Sequence, residues 1–169
     1  MRIRRFITAV AVAFAATAAV PFVAAPAAQA DVGCYGDYCS GQDPMSTHCG
    51  DDAQTVAWND LVAARLEVRW SPTCKTEWAR YQQYPRGWYF GSSPMVMHAV
   101  QDTGYTQTYT FPNADAGGGA EDGGTYWTPM IYSPEHKVQA KLEVTCGDAG
   151  LVAAVMDCAM NGVEETDAW

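Results

Sequence analysis

Hydrophobic and polar residues alternate along several short stretches of the chain, which is the pattern of half-buried β-strands. The alternation is clearest in residues 138–144, and residues 64–70 repeat it with Arg65, Glu67 and Arg69 on the polar side. Residues 105–111 also alternate cleanly, with Tyr105, Tyr109 and Phe111 on one side and threonines on the other. Weaker strand patterns, separated by turn residues, occupy residues 76–83, 95–100 and 126–132. Five or six short strands with little helix predict a mainly β fold, either a small antiparallel barrel or a sandwich.

Three segments depart from this alternation. Residues 34–60 are rich in Gly, Asp, Ser and Thr, so we expect little regular sheet there and at most one helical turn that Asp43 caps and Pro44 begins. Residues 113–124 hold five glycines and predict a loop. Residues 151–160 are apolar except for Asp157, and the pattern favours a short C-terminal helix over a buried strand.

The first thirty residues have the composition of an export signal. Three arginines precede a long run of Ala, Val and Phe, and Ala28-Gln29-Ala30 supplies the small residues at a cleavage site, which we place after Ala30. A membrane anchor is the alternative, but Pro21 and Pro26 interrupt the run and no basic cluster follows it. We therefore expect a secreted, extracellular protein with no membrane association once the signal is removed.

The charge of the chain limits its partners. There are 10 basic and 19 acidic residues, a formal net charge of −9, and removal of the signal takes away three arginines and no acidic residue. Nucleic acids and anionic lipids attract clustered Lys and Arg, whereas the basic residues here are scattered among acids. The composition therefore excludes nucleic acid as an expected partner.

All six cysteines follow the predicted signal, and an even number of cysteines in an exported chain predicts disulfides. Zinc sites are the alternative, but they present two close pairs of ligands, and the spacing here offers one. We expect no metal and no cofactor. The spacing cannot fix the pairing; our hypotheses are Cys146 with Cys158, Cys34 with Cys49, and Cys39 with Cys74. The predicted organisation is a signal at 1–30, a disulfide-braced β domain at 31–145 and an extension at 146–169 closed by its own disulfide.

Several motifs together resemble the YjfA-like family of exported bacterial proteins, which is abundant in actinobacteria. They are Cys39-Ser40-Gly41-Gln42-Asp43-Pro44, Cys49, Asp52-Ala53, Leu66-Glu67-Val68-Arg69-Trp70-Ser71-Pro72-Thr73-Cys74-Lys75, Trp78-Ala79-Arg80 and Thr128-Pro129-Met130-Ile131. The resemblance covers about Cys34 to Leu142. It implies an exported, disulfide-bonded domain and assigns no catalytic residue. Cys146, Cys158 and the glycine-rich residues 113–124 look like additions to the family pattern.

Aromatic residues are the best candidates for a binding surface. The chain has six tryptophans and nine tyrosines, and Trp88, Tyr89 and Phe90 are consecutive. Because successive side chains of a strand point to opposite faces, these three rings cannot all enter one core. They predict a non-catalytic recognition or adaptor domain that binds an extracellular protein or glycan.

Two other classes of function remain as alternatives. An extracellular serine-protease inhibitor would present the segment around Thr73 and Lys75, braced by Cys74, with Lys75 entering a trypsin-like pocket. A small secreted hydrolase is the second alternative. No local motif pairs a nucleophile with a base, and the three histidines are far apart in the sequence, so we predict no catalytic residue.

Overall fold

The structure is a computed structural model that describes residues 33–61, 64–85, 95–111, 123–144 and 162–169. The predicted signal peptide, the Trp88-Tyr89-Phe90 cluster, the Cys146–Cys158 pair and the predicted C-terminal helix lie outside the described residues. No helix among the described residues is long and apolar enough to cross a membrane.

Within the described residues, nine strands form two antiparallel sheets that face each other without closing into a barrel. Sheet A has the order β1-β2-β3-β6, with β7 also paired to β3, and sheet B has the order β5-β4-β8-β9. The strands are β1 (Gln54–Asp60), β2 (Ala64–Ser71), β3 (Thr76–Gln83), β4 (Met95–Gln101), β5 (Thr106–Thr110), β6 (Thr125–Trp127), β7 (Ile131–Tyr132), β8 (Val138–Val144) and β9 (Gly162–Glu165). The mainly β, antiparallel prediction is confirmed, in the form of an open sandwich.

The period of two along the strands builds the core between the sheets. Leu66 and Val68 of β2 face Tyr81 and Ala79 of β3, to which they are directly paired. Their counterparts in sheet B include Leu142, and all of these residues are at most 3% exposed. Arg65 and Arg69 of β2 and Gln139 and Lys141 of β8 point outwards, so in these strands the alternation read from the sequence sets which face is buried. Glu77 of β3 is a polar exception on the inner face.

A second, smaller core covers one end of the outer face of sheet A. The N-terminal segment, which includes a short 3-10 helix at Gly36–Cys39, lies there and buries Trp78 completely. Trp78, Met130 and the half-cystines Cys39, Cys49 and Cys74 form this cluster, and each is fully buried. Disulfides therefore hold a polar segment, which has few aliphatic side chains of its own, against the sheet.

The predicted pairing of the first four cysteines is wrong. The bonds join Cys34 to Cys39 and Cys49 to Cys74, with Cα–Cα distances of 5.3 and 5.8 Å. The 3-10 helix turns the chain so that Cys34 and Cys39 meet locally, and Cys49 is left to reach the β2–β3 turn. All four sulfur atoms lie within 4.8 Å of one another, so sequence spacing could not distinguish between the possible pairings.

The expectation of little sheet in residues 34–60 is also wrong, because Gln54–Asp60 is strand β1. Its burial does not alternate, and its register with β2 shifts between Thr55 and Ala57. Hydrogen bonds to β2 stabilise β1, although the sequence of β1 lacks the alternation that predicts a strand. The predicted cap is present: the Asp43 carboxylate accepts hydrogen bonds from the backbone N–H groups of Met45 and Ser46, at 2.7 and 2.9 Å, and a series of turns follows.

Asp52 fixes the turn between β2 and β3. It accepts hydrogen bonds from the Ser71 hydroxyl at 2.6 Å and from the Thr73 backbone N–H at 3.0 Å. Burial raises the pKa of Asp52, but these hydrogen bonds outweigh it and the pKa lies below its usual value. The carboxylate is therefore ionised at neutral pH and ties the N-terminal segment to the turn that carries Cys74.

We expect Asp52→Ala to lower the free energy of unfolding by about 1–2 kcal/mol at neutral pH, because the Ser71 hydroxyl loses its acceptor in a buried position. Because the folded pKa is lowered, the contribution of Asp52 is present above its unfolded pKa and is lost as the pH falls. Urea denaturation at neutral and acidic pH measures both effects. Asp51→Ala, at the exposed neighbouring position, is the matched control and should change little; equal losses in the two variants would contradict this role.

Candidate ligand-binding site

A groove opens where the β6 edge of sheet A meets the β5 edge of sheet B. Its volume is about 310 Å³. Three half-buried aromatic residues, Tyr109, Tyr126 and Trp127, form its walls together with the exposed Asp43 of the N-terminal segment. The two sheets and the disulfide-braced segment thus each contribute one side, and we call this feature the aromatic groove.

The tyrosines of the aromatic groove stand on a stack of rings that begins in the core. Tyr126 contacts Phe111 and Tyr109, with ring centroids 5.0 and 5.9 Å apart. Phe111 in turn meets the buried Tyr81 edge to face at 5.3 Å. Ring contacts of this kind fix the orientation of the side chains. The groove is therefore preformed, so a ligand loses little of its binding energy to ordering it.

Asp43 and Trp127 are joined across the other wall. The Trp127 indole Nε1–H donates to Asp43 Oδ2 at 2.9 Å, while Oδ1 accepts the two backbone hydrogen bonds of the cap. Burial raises the pKa of Asp43, but these three hydrogen bonds outweigh it and hold the pKa below its usual value. A carboxylate has about four acceptor positions, so one remains for a donor on a ligand.

The N-terminal segment is held at the groove by backbone hydrogen bonds. Gly41 N–H donates to the Met130 carbonyl and Met130 N–H donates to the Gln42 carbonyl, each at 2.9 Å. Gly41 has φ +81°, a conformation that favours glycine, and it lets the chain approach the β5 side chain Gln107. Gln107 donates to the Tyr105 hydroxyl at 2.7 Å, so the rim of the groove is polar.

The two residues predicted for an inhibitor loop do not line the aromatic groove. Thr73 and Lys75 are in the β2–β3 turn, where Lys75 is exposed and has φ +55°. The Lys75 N–H donates to the Ser71 carbonyl at 2.8 Å, which closes this turn. Trp88, Tyr89 and Phe90 lie outside the described residues. Sequence reasoning missed the groove because Asp43 and Trp127 are 84 positions apart, although the alternation in 105–111 did place Tyr109 and Phe111 on one face.

A serine, a histidine and an aspartate do come together at the opposite end of the sandwich. His136 Nδ1 lies 3.0 Å from Asp102 Oδ1, but the Ser133 hydroxyl donates its hydrogen to the main-chain carbonyl of His136 at 2.8 Å. Ser133 also accepts a hydrogen bond from Gln101 at 3.0 Å and is 3% exposed. This arrangement holds a turn together and presents no activated nucleophile.

Four cysteine sulfurs are the one group of metal-ligating atoms that converges within the described residues. They are bonded in pairs as disulfides, so they offer no thiolate to a metal ion. These four cysteines therefore act by cross-linking the N-terminal segment to itself and to the β2–β3 turn.

No curated protein and no solved structure matches the chain. A family model, described as protein of unknown function (DUF2690), matches residues 37–141. The matched range contains both disulfide-bonded Cys49 and Cys74 and all the aromatic groove residues named above. More than half of the sequence fits this model, and on that ground the chain belongs to the family of proteins of unknown function DUF2690.

Proposed function

We propose that the protein is an exported, non-catalytic recognition module that binds an uncharged glycan in the aromatic groove. The observation that carries this proposal is the arrangement of Tyr109, Tyr126 and Trp127 around the Asp43 carboxylate. A sugar ring has an apolar face of C–H groups and a rim of hydroxyls. Flat, half-buried aromatic rings match the face, and a fixed carboxylate with one free acceptor position matches a hydroxyl.

The charge and size of the groove favour a neutral glycan over other ligands. The net charge of −9 and the ionised Asp43 disfavour polyanions. A stable protein–protein interface involves roughly 20–30 residues on each partner, whereas the groove is lined by seven residues. A protein partner is the competing ligand, and the binding experiment distinguishes it from a glycan.

The disulfides and the first thirty residues support the export that this proposal includes. Two disulfides in the N-terminal segment form and persist in an oxidising environment. Together with the basic and apolar start of the chain, they support secretion with cleavage after Ala30. The resemblance to the YjfA-like proteins of actinobacteria supports the same location, and in this proposal the recognition module acts outside the cell.

Trp127→Ala is expected to weaken binding of a neutral oligosaccharide at least tenfold, because the variant loses both the ring surface and the hydrogen bond that orients Asp43. The measurement is isothermal titration calorimetry with the best ligand from an array of neutral glycans. Tyr38→Ala is the matched control, since Tyr38 is 88% exposed outside the groove.

Circular dichroism first establishes that both variants are folded. Binding by Trp127→Ala with unchanged affinity would contradict the proposal. The proposal would also be contradicted if the wild type bound none of the glycans but bound an extracellular protein in a manner that depends on Trp127.

A further inference from the structure

Four side chains form a row across the outer face of sheet A that starts at the aromatic groove and leads away from it. Trp58 of β1 is directly paired with Glu67 of β2, Glu67 with Arg80 of β3, and Arg80 with Trp127 of β6. Directly paired residues of antiparallel strands project from the same face. A tryptophan therefore stands at each end of the row, and the second one is the wall of the aromatic groove.

Trp58 is exposed and held in place. It is 56% exposed, which is unusual for the largest apolar side chain. The Arg65 guanidinium lies 5.9 Å from the centre of its ring, and Asp60 fixes that guanidinium with a hydrogen bond of 2.6 Å. The ring is thus supported by a fixed cation on one side and remains accessible to solvent over more than half of its surface.

The surface between the two tryptophans is polar and its charges are paired. Arg80 donates from Nε to Glu67 Oε2 at 2.6 Å, and Asp60 neutralises Arg65 in the same way. The adjacent row contains Gln82 and Thr125, both exposed and uncharged. Arg69 of β2, on the same face, has no acidic partner among the described residues and instead donates to Thr55 Oγ1 at 2.7 Å and to the Ala53 carbonyl at 2.6 Å. The row between the two tryptophans itself offers hydrogen-bonding groups whose charges are paired.

We infer that the row from Trp58 to Trp127 is a second contact region for the groove ligand, which is therefore an extended, uncharged β-linked polysaccharide chain. The inference rests on the proposed function. Three strand spacings separate the two tryptophans by about 14 Å, more than one or two sugar rings can span. A flat chain that leaves the groove over Trp127 crosses the polar row and reaches the ring of Trp58.

The test compares oligosaccharides of increasing length. Chito-, cello- and β-1,3-gluco-oligosaccharides, each from disaccharide to hexasaccharide, are titrated into the wild-type chain and into Trp58→Ala. In the series that binds, wild-type affinity should rise with length. Trp58→Ala should bind the disaccharide like the wild type and the hexasaccharide about tenfold more weakly, because only the longer ligand reaches Trp58.

Two further variants separate this inference from the proposed function. Trp127→Ala should weaken binding at every length, and Tyr38→Ala, which removes another exposed aromatic ring, should change none. Wild-type affinity that is independent of length, or a hexasaccharide affinity unchanged in Trp58→Ala, overturns the second contact region and leaves the groove proposal standing. Failure of all three series to bind the wild type overturns this inference, and failure of the whole array of neutral glycans overturns the groove proposal as well.

Discussion

Replacing Cys49 and Cys74 together by alanine is expected to lower the free energy of unfolding by about 3.5 kcal/mol. This disulfide closes a loop with a sequence separation of 25, and the chain-entropy model assigns about that value to a loop of this length. The bond also anchors the N-terminal segment to the β2–β3 turn over the buried Trp78. Loss of the bond should therefore expose the small core on the outer face of sheet A, in addition to raising the conformational entropy of the unfolded chain.

The matched control is Cys34→Ala combined with Cys39→Ala. That disulfide has a sequence separation of only 5, so the same model gives about 2 kcal/mol. Guanidinium denaturation without reductant, followed by tryptophan fluorescence, measures both variants. A loss for the Cys49–Cys74 pair that is no larger than that for Cys34–Cys39 would show that the long bond does not organise the segment.

Replacing Glu77 by glutamine is expected to stabilise the protein relative to the wild type by about 3 kcal/mol more at pH 7 than at pH 5. Glu77 is fully buried on the inner face of β3, and neither carboxyl oxygen has a hydrogen-bond partner of acceptable geometry. Burial raises the pKa of Glu77 from 4.5 to about 8; the negative charge of Asp102 adds to this effect, and the nearby Ser133 hydroxyl opposes it. The single Ser133 hydrogen is already donated to the His136 carbonyl, so the site suits a neutral carboxylic acid.

The direction of the pH dependence follows from the raised pKa. Below pH 4.5, Glu77 is protonated in both the folded and the unfolded chain, and its neutral form contributes fully to stability. Above pH 4.5 the unfolded chain releases this proton while the folded chain retains it up to about pH 8. Stability therefore falls as the pH rises through this window, by about 1.4 kcal/mol per pH unit.

Urea denaturation of the wild type and of Glu77→Gln between pH 5 and pH 8 tests this expectation. The difference in stability between the two proteins should grow with pH, since glutamine does not titrate. Glu135→Gln, at an exposed position, is the matched control and should give a difference that does not vary with pH. A constant difference for Glu77→Gln would mean that Glu77 titrates alike in the folded and unfolded chains.

Strands with a regular alternation were predictable, and those stabilised by their neighbours were not. Strands β3 and β8 begin and end at the predicted residues. In β8 one face is buried and the hydrophobic pattern records it, whereas β3 is buried on its inner face and also, at Trp78, on its outer face beneath the N-terminal segment. Pro129 interrupts the strand expected at 126–132, which is two short strands, β6 and β7. Strand β1 has a bulge and an irregular burial pattern, and it forms because β2 supplies its hydrogen bonds.

The candidate site depends on contacts between distant parts of the chain. Sequence alternation places Tyr109 and Phe111 on one face of β5, but it does not say that this edge lies beside Tyr126 of β6. Trp58 and Trp127 come onto one face only through the registers of three strand pairs. Glu77 sits in a strand that the sequence predicts, yet its burial depends on how the two sheets pack.

The amino-acid sequence by itself determined the mainly β class, the inward faces of the regular strands and the presence of disulfides, because local alternation and composition encode these properties. Only the tertiary structure decided which cysteines pair, which aromatic rings line the groove and which carboxyl group is buried. Four sulfurs within 4.8 Å of one another illustrate the reason. Small differences in chain path select among partners that are equally close, and those differences arise from packing between segments far apart in the sequence.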